Sequence, residues 1–104
     1  MNTTLGNLEE AVLLITMCLD EAYGVSVAEE YKKQAGSGIS IPAIHTVLRR
    51  LEDKGLLKSK MSAASAERGG RRKRLYEATA YGFSIIREIK KDRLRMWSRI
   101  PGLN

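Results

Sequence analysis

The apolar residues of this chain change period at Gly55, and that change limits the possible folds more than any other feature. Before it, Leu, Ile and Val recur every three or four residues; after it, apolar and charged residues alternate in two short runs. Recurrence at three and four puts side chains on one face of a helix, whereas alternation puts them on one face of a strand. The pattern predicts three helices, a two-stranded hairpin and a final helix. That is a mainly α chain with one small β-hairpin.

The first helix is expected over residues 7–20, with Asn7 as N-cap and Glu9 and Glu10 in the first turn. Leu8, Ala11, Val12, Ile15 and Leu19 form one apolar face, and Leu13, Leu14, Met17 and Cys18 make the other sides apolar too. A helix apolar almost all round in a short chain is expected to lie between two layers, one of them a second subunit. Cys18 reads as a small buried hydrophobe rather than a redox sensor. The second helix is expected over residues 26–35, capped by Ser26 with Glu29 three residues on, and ended by Gly36-Ser37-Gly38. The third opens on Ser40 and carries Pro42 in its first turn, where a missing N–H is harmless. Ile44, Val47, Leu48 and Leu51 share its inner face, and Gly55 follows its last turn.

In the hairpin, Leu57, Ser59 and Met61 alternate with Lys58 and Lys60, while Leu75, Glu77 and Thr79 alternate with Arg74, Tyr76 and Ala78. Residues 62–73, rich in Ser, Ala, Gly and Arg, read as its tip. Tyr76 and Tyr81 read as packing residues with a polar end. The last helix is expected over residues 80–99, with Phe83, Ile86, Ile89, Leu94, Trp97 and Ile100 at helical spacing before Pro101-Gly102.

With 104 residues, 43% of them hydrophobic, the chain can bury one core. Its net charge of +6 is not spread evenly. Residues 58–74 hold seven bases against Glu67 alone, so this stretch equals the net charge of the whole, while residues 1–39 carry −4. A focused positive stripe suits a polyanion. The apolar run at residues 11–19 is shorter than the roughly 18 residues a bilayer span needs. No positive charge precedes an apolar stretch in residues 1–6, so a secretory signal is not expected and a cytoplasmic location is. One cysteine forms no internal disulfide, and one histidine, His45, anchors no multi-histidine metal site. The chain has no phosphate loop, no HExxH and no set of residues for a Ser/His/Asp triad, so no catalysis, metal or cofactor is expected.

A step of about 100° per residue puts Pro42, His45, Thr46, Arg49 and Asp53 on the outer face of the third helix, with Arg50 at its edge. His45 can donate to or accept from a base edge, Thr46 offers a hydroxyl and a methyl, and Arg49 can grip guanine or a phosphate. The plainer reading is a solvated helix face. Arg68, Arg71, Arg72, Lys73 and Arg74 crowd the hairpin, where Gly69-Gly70 allows close backbone approach to phosphate. Two or three of these bases are expected to meet phosphate; the plainer reading is a charged tip that deters edge-to-edge pairing. Met96 and Trp97 either bury against a partner subunit or line a cavity where a flat aromatic effector stacks.

Three helices, a basic hairpin and a long helix follow the order of a winged helix-turn-helix with a C-terminal extension. The residues also resemble the PadR-type transcriptional regulators. The matching pieces are Leu5-Gly6-Asn7-Leu8-Glu9, Tyr23-Gly24, Leu48-Arg49-Arg50-Leu51-Glu52-Asp53-Lys54-Gly55-Leu56, Gly69-Gly70-Arg71-Arg72-Lys73-Arg74-Leu75-Tyr76, and Thr79 with Gly82. Together they run from residue 5 to about residue 97. His45 departs from the pattern, standing where the family commonly has a tyrosine. The resemblance implies a winged helix-turn-helix over residues 1–79 and a dimerisation helix over residues 80–104, forming one unit with the first helix. It implies a homodimeric, sequence-specific regulator, a repressor on a pseudo-palindromic double-stranded operator. The expected DNA-binding residues are Ser40, Pro42, His45, Thr46, Arg49, Arg50, Arg68, Arg71, Arg72, Lys73 and Arg74. Leu8, Val12, Ile15, Met96 and Trp97 are expected at a dimer interface or an effector pocket, some family members responding to aromatic small molecules. Two alternatives stay open: a winged helix on structured RNA, and a protein-interaction module.

Overall fold

The computed structural model describes residues 4–63 and 72–103. Its elements run α1 (Asn7–Cys18), α2 (Gly24–Ala35), α3 (Ile41–Asp53), β1 (Leu57–Met61), β2 (Arg74–Ala78) and α4 (Ala80–Ser98). Four helices and one antiparallel hairpin in this order make a winged helix.

α3 begins and ends where local chemistry directs. The Ser40 hydroxyl accepts from the Ala43 amide at 3.2 Å, and Gly55, just beyond the last turn, takes φ +81°, a left-handed conformation that glycine adopts without a Cβ penalty. The other two starts differ from expectation. α1 is capped by Gly6 rather than Asn7, because the Glu9 carboxylate reaches back to accept from the Gly6 amide at 2.9 Å. It also stops at Cys18, two residues early, where Leu19 turns to an extended backbone. α2 begins at Gly24, two residues before Ser26. Ser26 is therefore inside the first turn, and its hydroxyl accepts from the Tyr23 amide at 3.0 Å and donates to the Glu21 carbonyl at 2.8 Å.

The core lies where α1, α2, α3 and the hairpin meet. Val12, Leu13, Val27, Ile44, Leu48, Leu51 and Leu56 are wholly buried there, with Leu57 and Tyr76 closing it from the hairpin. β1 and β2 pair in the register Leu57↔Ala78, Ser59↔Tyr76 and Met61↔Arg74. The segment before α2 adds one more rung, the Tyr76 amide donating to the Ala22 carbonyl at 2.8 Å. That rung ties the hairpin to the helical body.

α4 is held at its start, by Ile85 and Ile86 packed on the core, and again at Arg93. Thr79 caps it, its hydroxyl accepting from the Gly82 amide at 3.0 Å and donating to the Gly55 carbonyl at 2.7 Å. Gly82 then rests on the Leu56 backbone with no room for a Cβ. Farther along, Arg93 grips Glu10 of α1 with two hydrogen bonds, at 2.6 and 3.1 Å. A second link between distant parts joins Lys54, after α3, to Glu9 at 2.9 Å.

Candidate nucleic-acid interface

With Ile44, Val47, Leu48 and Leu51 turned into the core, the phase of α3 leaves Pro42, His45, Thr46, Arg49 and Arg50 exposed. Their environments differ. The Ser40 oxygen is occupied as a cap. The Thr46 hydroxyl donates to the Pro42 carbonyl at 3.1 Å, which leaves its methyl and its acceptor lone pairs available. The far end of the His45 ring lies against Gly24, where any Cβ would collide with it. Arg50 sits on the α1 flank, close enough for its charge to help hold the Glu9 carboxyl below the usual range. Arg49 sits on the hairpin flank, where its charge is felt at the Tyr76 phenol.

The root of the hairpin meets α3 on that second flank. Beyond β1 and β2, the Ser62 amide donates to the Lys73 carbonyl at 2.7 Å, and the Ser62 hydroxyl accepts from the Lys73 amide at 2.9 Å. Arg72 Nε donates to the Ser62 carbonyl at 3.2 Å. Lys73 Nζ stands 4.2 Å from the centre of the Tyr23 ring, a cation–π geometry. Arg74 Nη1 donates to Ser59 Oγ at 3.1 Å, and Ser59 Oγ donates to Glu52 Oε2 at 2.7 Å, a chain that ends on α3. Tyr76 lies beneath: burial raises its phenol pKa and Glu52 adds to the rise, while Arg74 and Arg49 oppose it. Arg68 and Arg71 lie outside the described residues. The structure thus brings Arg49 and Arg74 together around one buried tyrosine. It also supplies three residues not foreseen as part of this surface: Tyr23, Glu52 and Ser59. Nothing local marks them, because each acts on a residue distant in sequence.

The residues assigned to a partner face need correction. Val12 is 0% exposed and Ile15 is buried, both inside the chain's own core, and Leu8 packs half-buried against it. The stripe through Leu14 and Cys18 faces outward instead, because a step of two residues, about 200° on a helix, separates it from the buried stripe of Val12 and Thr16. Cys18, expected inside, is exposed. Leu14 is 42% exposed and Trp97 is 56% exposed, and Met96 is also open. Leu14, Ile86, Ile89 and Trp97 line a groove of about 240 Å³ between α1 and α4, closed on one side by the Arg93–Glu10 pair. Among the described residues no group of His, Cys, Asp and Glu could hold a metal ion, and no helix is long and apolar enough to cross a membrane.

The sequence matches no protein-family model and no curated protein. Solved structures do match. A PadR-like transcription factor from Bacteroides fragilis superposes with a TM-score of 0.72 at 21% identity, covering 86% of this chain and 82% of that one. A PadR family transcription regulator from Clostridium difficile gives 0.63 at 27% identity, covering 84% and 88%. The chain has the PadR-like fold. A third structure of this kind, Bacillus subtilis PadR in complex with operator DNA, gives 0.69 at 18% identity over 84% of this chain and 48% of that one. Within the PadR-like fold, α2 and α3 are the helix-turn-helix, β1 and β2 are the wing, and α4 is the C-terminal helix.

Proposed function

We propose that this protein is a transcriptional regulator that binds double-stranded DNA. The observation that carries this reading is the Arg74–Ser59–Glu52 chain, which ties the basic root of the wing to α3, the helix that exposes His45, Thr46 and Arg49. The operator complex of the Bacillus subtilis neighbour supports the same use of the fold. In this reading the outer face of α3 enters a major groove. His45, Thr46 and Arg49 meet base edges, and bases of the hairpin follow the flanking backbone, not all of them by direct contact. Ser40 acts by fixing the start of α3, Pro42 shapes its first turn, and Arg50 works from its edge.

The reading continues to a cytoplasmic homodimer and a repressor. Residues 1–79 form the DNA-binding unit, and residues 80–104 carry the dimerisation helix. Leu14, Leu94 and Trp97 line one groove and are exposed, as are Phe83 and Met96, which offers apolar surface for a partner to cover. A second copy covering them would set two α3 helices on successive major grooves of a pseudo-palindrome, roughly 34–36 Å apart. The groove beside Trp97 is the place for a flat aromatic effector.

A salt titration on duplex DNA tests the reading. Each phosphate neutralised should steepen the log–log dependence of affinity on salt by about 0.9. Binding without a salt slope, or structured RNA displacing the duplex at equal concentration, would contradict it.

A further inference from the structure

Sequence alone expects two or three of the wing bases to meet phosphate and does not say which. The structure gives those it describes different work. Lys73 is seated over the Tyr23 ring at 4.2 Å, on the segment that leads into α2. Arg74, the next residue, turns to Ser59 at 3.1 Å, and Ser59 hands the link to Glu52 of α3 at 2.7 Å. Lys73 immediately precedes β2 and Arg74 opens it, and their links run to two different parts of the body.

A two-stranded ladder fixes the register of a hairpin but leaves its tilt against the body open, and an isolated hairpin is only marginally stable. The Ala22–Tyr76 rung supplies one anchor. Lys73 and Arg74 supply two more, one to the α1–α2 connection and one to α3. Glu52 gains a reason from this arrangement. A carboxylate on a helix that faces phosphate is unfavourable, unless its charge is occupied by the wing itself.

Resting on the DNA-binding reading above, we propose that Lys73 and Arg74 are positioning residues. Through Tyr23, and through Ser59 and Glu52, they set the angle of the wing against α3, and the phosphate contacts fall to other bases of the chain.

Affinity and salt slope separate the two roles. Binding of the full-length protein to a duplex of mixed sequence is measured at several salt concentrations for the parent, Lys73→Met, Lys73→Arg, Arg74→Gln and Tyr23→Leu. Melting curves establish that each variant is folded at the binding temperature. Lys73→Met and Arg74→Gln should keep the parental slope and lose affinity about two- to fivefold, the scale of a partly exposed cation–π contact. Tyr23→Leu removes no charge and should lose as much as Lys73→Met, with no further loss when the two are combined; Lys73→Arg should bind like the parent. A slope shallower by about 0.9 in Lys73→Met or Arg74→Gln would make that residue a phosphate contact and overturn the proposal. Unchanged affinity in both would overturn it as well, leaving only a structural role. A parent that binds no duplex would overturn the DNA-binding reading and this proposal together, and that failure shows in the parent rather than in the variants.

Discussion

Gly24 is a glycine whose use lies in space rather than backbone freedom. It sits in α2 and is not among the glycines with positive φ, so alanine fits its conformation. The nearest atoms a Cβ would meet all belong to the His45 ring. In a helix, alanine is favoured over glycine by about 0.5–1 kcal/mol. Gly24→Ala should therefore stabilise the protein by that amount only in a His45→Ala background. In the parental background the gain should be absent and His45 displaced, which paired melting curves and the imidazole NMR signals would show. Glu9 offers a second check. Its carboxylate accepts from the Gly6 amide and pairs with Lys54, which holds its pKa below the usual carboxylate range against the opposing effect of burial. A depressed folded-state pKa means that the ionised form contributes stability above the unfolded pKa, and that this is lost as pH falls through the folded one. Glu9→Gln should thus be less stable than the parent at neutral pH, and the difference should shrink below about pH 4 in denaturant titrations.

At the scale of elements, the chain stated some boundaries and concealed others. Ser40, Pro42 and Gly55 specify α3 through contacts within a few residues, so its span was legible. α2 was misplaced because Ser26 followed by Glu29 imitates a capping box, whereas the serine serves from inside the turn and accepts from the part-buried Tyr23 amide. Which side of α1 is buried was not legible either. Periodicity finds apolar stripes, but four of them on one helix leave the choice to α3 and the hairpin, which selected Val12, Leu13, Ile15 and Thr16. The seating of α4 has one point with no slack, at Gly82. A Cβ at Gly82 would run into the Leu56 carbonyl oxygen, which is backbone and cannot step aside. Gly82→Ala should cost about 1–3 kcal/mol by overpacking, read as a lowered melting temperature. Gly36→Ala is a poor control because of its positive φ; Ser84→Ala, exposed on the same helix, is a suitable one.

Over the whole chain, charge is unevenly distributed along the sequence. Residues 58–74 carry as much net positive charge as the entire chain, while residues 1–39 carry −4. α4 leaves Trp97, Met96 and Leu94 open, and Leu14 of α1 joins them beside one groove. If a second copy covers this surface, Trp97→Glu should convert a dimer of about twice 11.6 kDa into a monomer, measured by size exclusion with light scattering. The monomer should also bind DNA more weakly, having lost the second half-site. Whether two copies of α3 read duplex DNA is decided by selecting bound duplexes from a random pool. A pseudo-palindrome with half-sites about 10 base pairs apart, centre to centre, should be enriched. A pool that emerges unenriched, or enriched for single unpaired half-sites, would contradict that expectation.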